Sequence, residues 1–371
     1  MRFFRLALPL LLGACAATEQ SLPPNLIALD STALIESDDA PFDRQVGTIA
    51  RSAGGELFVA DFATRSVQVF GPDGRHRRTI GRGGSGPGEF ETPSGLDLLD
   101  DDRVLAVADP NRGMLILFES TSGLLLEEIP YPGGAIALGN WAERDGTVII
   151  PVAGQPAPFV SWNRSTDAMA PLGEMPPEWA GSPGISLSHG FPGVVAGKGS
   201  EWLALLQLVP GVAHLDEAGA RTTVTPLPAV RRRGAPAGAA QAVSDAAQRG
   251  ERRDGQPVAS LTLGIHRRSD GAIVVIHLDP VLTRGSAGLE AVSQRYFVSL
   301  LRPDLAAACV DGELPITPDD LAIPTFSGDT LFFVEQRTTA AGDVERWIRS
   351  FLVDASACTW LPTKDVAEAT P

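Results

Sequence analysis

The sequence predicts an all-β protein, a six-bladed β-propeller of four-stranded antiparallel blades whose ring is closed by N- and C-terminal strands. Three observations point there. A unit recurs at fixed spacing, its strands are apolar almost without interruption, and glycine and aspartate mark the turns between them. Asp61 and Asp109 lie 48 residues apart, as do Phe70 and Phe118. A period of forty to fifty residues, each unit holding several short strands, is the signature of stacked blades.

The elements follow in order. Residues 26–35 have strand composition ahead of the first full unit and are expected to supply an outer strand to the last blade, which removes an exposed sheet edge. The first unit runs Glu56–Asp61, Val67–Phe70 and Arg77–Ile80; the second runs Leu105–Asp109, Leu115–Phe118 and Leu124–Ile129. Asp61 and Asp109 close their strands where a carboxylate can accept turn amides, and Gly74 and Gly123 suit positions of positive φ. Fainter units follow at 145–162, 201–215, 270–301 and 328–353. Six units result, with a seventh only if the irregular stretches hide one. Continuous apolar strands need cover on both faces, which one blade alone cannot provide.

The chain starts with Arg2 and Arg5, then an apolar run from Leu6 to Leu12 too short to span a bilayer, then Leu12-Gly13-Ala14-Cys15. This resembles the lipobox of bacterial lipoprotein signal peptides. The resemblance implies a signal peptide over 1–14, lipidation of Cys15 and a tether over 15–24, ahead of a propeller spanning 25–362 and a disordered tail at 363–371. Ala16 after the cysteine favours the outer membrane of the cell envelope; which face of the membrane the domain occupies is left open. Several acyl chains together anchor stably.

The formal charge is −15, and about −17 once the two leader arginines are lost. Such acidity, with 6% aromatic residues, argues against a nucleic-acid partner. A monomer is expected. Cys309 and Cys358 form an even pair in a compartment that permits disulfides, and a bridge would close a loop of about fifty residues.

Val59-Ala60-Asp61, Ser66–Phe70, Pro72-Asp73-Gly74, Thr79-Ile80-Gly81 and Gly86-Pro87-Gly88-Glu89-Phe90 occur in the order of the NHL-repeat family of propellers, which this stretch resembles. Pro93, Gly95, Ala108-Asp109 and Asn111-Arg112 continue the likeness over about two blades. The glycine-rich run 81–90 lacks the Gly-Lys-Ser/Thr ending of a phosphate loop and reads as a crossover between blades, with Phe90 as its plug.

Chemistry is sparse. Some NHL-like lyases and hydrolases hold a metal at the channel, where inner strands begin. Here His189 and His266 precede the second strands of different blades and His277 ends such a strand, so three nitrogens could bind zinc. Calcium could find oxygen ligands among the carboxylates; Asp100-Asp101-Asp102 and Asp319-Asp320 otherwise read as solvated turns. Residues 229–257 break the rhythm as an insertion carrying Arg231, Arg232, Arg233, Arg252 and Arg253, a basic patch able to bind an acidic partner. Two readings stand. One is a non-enzymatic envelope lipoprotein whose propeller binds protein, peptide or glycan; the other is a metal-dependent, lactonase-like hydrolase or lyase. Replacing Cys15 by Ser is expected to move the protein from the membrane pellet to the soluble fraction, as read by fractionation and immunoblot.

Overall fold

A computed structural model describes residues 23–35, 46–130, 141–152, 157–174, 193–205, 211–228, 261–285, 288–316, 324–338 and 344–363. Cys15, His189 and all six arginines of the insertion lie outside the described residues, as do Asp319 and Asp320. Six antiparallel sheets follow one another along the chain.

The chain opens with β1 (Asn25–Leu34). Blade 1 is β2 (Val46–Arg51), β3 (Leu57–Asp61), β4 (Ser66–Phe70) and β5 (His76–Ile80). Blade 2 is β6 (Gly95–Leu99), β7 (Val104–Asp109), β8 (Met114–Glu119) and β9 (Leu125–Pro130), and blade 3 is β10 (Ala142–Arg144), β11 (Thr147–Pro151), β12 (Phe159–Asn163) and β13 (Ala168–Leu172). Blade 4 is β14 (Val194–Ala196), β15 (Trp202–Ala204), β16 (Gly211–Leu215) and β17 (Arg221–Pro226). Blade 5 is β18 (Leu261–Arg267), β19 (Ile273–Gly285), β20 (Gly288–Leu301) and β21 (Ala307–Glu313). Blade 6 is β22 (Thr325–Ser327), β23 (Thr330–Thr338) and β24 (Val344–Asp354), and a short β25 (Leu361–Pro362) ends the chain's described part. In each blade the strands pair in sequence, and the first strands of blades 6, 1 and 2, and those of blades 3, 4 and 5, lie beside one another.

Side-chain alternation explains the apolar runs. Successive residues of a strand point to opposite faces. Leu105 and Val107 of β7 pack toward blade 1 with Phe58, Val67 and Phe118, while Ala106 and Ala108 of the same strand pack toward blade 3 with Val148, Val160 and Trp162. The same arrangement recurs at every junction, each with its own buried cluster: blades 3 and 4 around Trp202, 4 and 5 around Val275, 5 and 6 around Phe333, 6 and 1 around Phe332.

The ring closes through both ends of the chain. β1 pairs antiparallel with β24, from Asn25 opposite Asp354 to Leu34 opposite Arg346, and so becomes the fourth strand of blade 6. Just beyond it, Ile35 N donates to Gly74 O at 2.8 Å and His76 N donates to Ile35 O at 3.0 Å, which ties this segment to blade 1. Gly74 has φ of 76°, and an added Cβ would sit 1.9 Å from Ala33 O, so the staple requires glycine there. At the other end β25 pairs with β21, giving blade 5 a fifth strand. Cys309 of β21 and Cys358 form a disulfide with a Cα separation of 6.0 Å. Thr363, where the tail was expected to start, is buried, and its hydroxyl donates to Leu305 O at 2.7 Å.

The glycine-rich run is a crossover, as its sequence predicts. Phe90 is fully buried against Phe118, and the run's amides are taken by protein groups: Gly84 N by Phe90 O at 2.9 Å, Gly86 N by Glu89 Oε2 at 2.8 Å and Gly88 N by Glu128 Oε1 of blade 2 at 3.0 Å. Asp109 is fully buried and accepts from Glu91 N at 2.7 Å, Thr92 N at 3.1 Å and Arg112 N at 3.2 Å, so it fixes both the crossover and its own turn.

Cys309→Ser is expected to lower unfolding free energy by about 2–4 kcal/mol, the range for a loop of this size. Urea denaturation of the oxidised wild type against the variant measures it.

Candidate functional site

The turns joining first to second strands all lie on one face, and polar contacts there latch every pair of neighbouring blades. Ala53 N donates to Asp102 Oδ2 at 2.6 Å between blades 1 and 2. Arg164 Nη2 meets Asp100 Oδ2 at 2.6 Å between blades 2 and 3. Arg144 of blade 3 donates to Gly199 O, Ser200 O and Glu201 O at 2.6–2.7 Å, with its guanidinium 4.0 Å from the Trp202 ring centre. Arg267 Nε donates to Ala196 O at 2.8 Å between blades 5 and 4, Ser269 N donates to Asp329 Oδ1 at 2.8 Å between 5 and 6, and Ser327 Oγ donates to Arg51 O at 3.0 Å between 6 and 1. The aspartate triplet is thus no freely solvated turn. Its three residues adopt positive φ of 52–66°, a region Asp tolerates better than most residues, and two of its carboxylates hold neighbouring blades. Arg164 keeps the Asp100 carboxyl below the ordinary range, and the Ser269 hydroxyl and amide do the same for Asp329.

Inside this collar lies a channel cavity of about 220 Å³. First strands of four blades line it: Thr48 to Arg51 of β2, Leu96 to Leu98 of β6, His266 of β18 and Thr325 to Ser327 of β22, with Trp141 from beside β10 and Asp102 from its turn. It sits toward the ends of the first strands, whereas the resemblance placed activity where they begin.

Asp97 is the outstanding group. It stands mid-strand in Gly95-Leu96-Asp97-Leu98-Leu99, opposite Ala106, so β-pairing holds it near the axis. Burial pushes its carboxyl up to about 7, against the amides of Leu98 and Trp141, which favour the charged form; the carboxylates of Glu143 and Asp102 add to the rise. Leu98 N donates to Asp97 Oδ1 at 2.8 Å. Among the described residues no cation forms an ion pair with it: Arg164 is taken by Asp100 and Glu143, and the Arg51 guanidinium lies near Gly55 in the adjoining turn.

The histidines are differently placed. His266 lines the cavity, stacks on Phe326 with ring centres 4.8 Å apart, and its Nε2 lies 2.6 Å from Gly328 O. Burial holds its pKa below the ordinary value. His277 does not end its strand: β19 runs eight residues further, to Gly285, and His277 is fully buried, stacked on Phe297, with Nε2 3.5 Å from Asp311 Oδ1. Both belong to blade 5. Among the described residues no three His, Cys, Asp or Glu side chains gather in a way that could hold a metal ion. His214, read as part of an apolar strand, joins Glu201 Oε1 (2.6 Å from Nδ1) to Thr225 Oγ1 (2.8 Å from Nε2) across blade 4.

Residues 35–136 match the family DUF5128, described as a 6-bladed beta-propeller. A solved member of the duf4221 family from Bacteroides vulgatus is similar with a TM-score of 0.54 at 11% identity, over 90% of this chain and 99% of its own. A putative exported protein from Bacteroides fragilis gives 0.53 at 12%, over 88% and 95%. Virginiamycin B lyase from Staphylococcus aureus gives 0.50 at 12%, over 89% and 100%. The protein is a six-bladed β-propeller. At these identities the likeness is one of fold. No protein of curated function matches the sequence.

Asp97→Asn tests the electrostatics. An Asp whose folded pKa is raised binds more protons folded than unfolded between pH 4 and 7, so its ionisation lowers stability as pH rises through that window. The variant is expected to exceed wild type by about 1–4 kcal/mol at pH 8 and to match it near pH 4, as read by urea unfolding at both values.

Proposed function

We propose that the protein is a lipid-anchored component of the cell envelope, held by Cys15 at the outer membrane, whose propeller binds a ligand at the channel without transforming it. The observation that carries this reading is the state of the cavity lining. Its polar groups are largely engaged by the scaffold: Thr48 Oγ1 on Ser94 O, Ser327 Oγ on Arg51 O, Asp102 on Ala53 N and His266 on Gly328 O. Beyond these the lining holds the half-buried Asp97 carboxyl, the Trp141 Nε1–H with no hydrogen-bond partner, Arg51, Thr325 and a wall of Ile49, Leu98, Trp141 and Phe326. Such a mixture fixes and orients a ligand, as binding pockets do. Among the described residues that line it, none is a nucleophile hydrogen-bonded to a base, the arrangement covalent catalysis uses.

The small volume fits the end of a peptide or glycan better than a whole folded partner. The insertion arginines Arg231, Arg232, Arg233, Arg252 and Arg253 would add a basic surface for an acidic part of the same ligand. The hydrolase or lyase reading draws on one observation, His266 in the cavity, and would need zinc or calcium with His189, His266 and His277 brought to one point.

Leu98→Trp is expected to fill the cavity. Peptides or glycans that raise the melting temperature of wild type in a thermal-shift screen should leave this variant unmoved, and ligands that stabilise both equally would place binding elsewhere.

A further inference from the structure

We propose that the channel cavity binds an organic ammonium group, with the Asp97 carboxylate as its counter-ion and the walls of Leu98, Trp141 and Phe326 around its alkyl portion. This rests on the cavity being the binding site and names the chemistry it selects.

The argument starts from cost. A half-buried carboxyl without a cation is destabilising when ionised, and Asn would fill the same space and still accept the Leu98 amide. The other acids of this face have partners: Asp100 and Glu143 share Arg164, Asp102 takes Ala53 N and Asp329 takes Ser269. Asp97 and Asp102 both have only neutral amides among the described residues, and for Asp97, set between apolar walls, the strongest charges acting on it are negative. A cation entering the cavity would relieve both burial and repulsion.

The walls decide which cation. A hydrated divalent metal ion wants several hard oxygen ligands, and one carboxylate between apolar surfaces is a poor substitute. An ammonium on a short alkyl chain fits instead. Its charge pairs with Asp97 in a low-dielectric site, and its methylenes lie on Leu98 and the faces of Trp141 and Phe326, with aromatic rings also attracting cations. Lysine side chains, peptide amino termini and amino sugars all carry this group. His266 is held toward neutrality by burial and Arg51 lies near the turn, so neither opposes the ligand at Asp97.

Binding a cation to Asp97 requires its ionised form, which sets the pH dependence. With the carboxyl near 7, affinity is highest above pH 8 and falls by about 30-fold at pH 5.5, where only a few per cent is ionised. Asp102, Glu143, His266 and Arg51 also face this region, so the control is the same titration on Asp97→Asn.

The experiment is a ligand-detected NMR titration of the folded domain with n-butylammonium, butan-1-ol and butyrate at pH 8.5 and 5.5. The expected result is butylammonium binding with a dissociation constant of about 10 mM or below, the other two at least tenfold weaker, and loss of both the preference and the pH dependence in Asp97→Asn. Equal binding of butan-1-ol, or unchanged binding by Asp97→Asn, overturns the ammonium assignment while keeping the cavity as a site. Displacement of butylammonium by millimolar calcium chloride overturns it in favour of a metal ion. Absence of binding by all three probes overturns both the assignment and the channel as the binding site.

Discussion

Every part of this molecule follows from the need to cover both faces of each small sheet. Leu105 and Val107 look one way from β7 and Ala106 and Ala108 look the other, and both pairs are fully buried. A blade of this composition has no stable existence with one neighbour, so the row of blades must curve until its ends meet. The meeting point is then the weakest place, since the chain leaving β24 does not run on into blade 1. The chain answers with β1, which completes blade 6 by pairing and reaches blade 1 through Ile35. The described C-terminal segment secures the other side, with β25 and the disulfide pinned to blade 5.

Apolar packing between blades is strong and poorly directional. Phe333 of blade 6 against the Val298 side of blade 5, and Trp162 of blade 3 against the Ala106 side of blade 2, would tolerate some sliding of one sheet on the next. The polar collar supplies direction. Arg144 on three successive carbonyls and Asp100 on Arg164 are geometrically demanding contacts, and one such contact stands at each of the six junctions. Their position around the cavity means that the residues which fix blade orientation also fix the lining. Thr325 to Ser327 and Thr48 to Arg51 are held relative to each other by the Ser327–Arg51 bond itself.

The second and third strands were legible because burial on both faces leaves an unmistakable apolar text, as in Leu105–Asp109 and Val67–Phe70, whereas the more exposed fourth strands were read only in blades 1, 2 and 6. First strands were not. Ala142–Arg144, Val194–Ala196 and Thr325–Ser327 are three residues each, partly exposed toward the channel, and too short to carry a period. The site lies on those strands, so it was hidden for the same reason. Its one local sign was a carboxylate inside an apolar run, Asp97 between Leu96 and Leu98. The aspartate triplet was misread because its partners are remote in sequence: Arg164 stands 64 residues from Asp100, and Ala53 stands 49 from Asp102. His277 was placed at a strand end because nothing in the apolar pattern shows that β19 and β20 continue well past it.

The constraint that builds the ring also explains why a site should form at its centre. Six first strands converge there, yet their inward faces cannot all be apolar, because the space between them is too wide to pack shut and too narrow for bulk water. Hydroxyls and backbone-bonded side chains solve most of that problem, each with a protein partner. Asp97 stands apart by its charge: half-buried, it accepts the Leu98 amide but meets no cation among the described residues. The scaffold gives this carboxyl backbone amides and no cation between apolar walls, and stability given up at such a position is a common mark of a binding group.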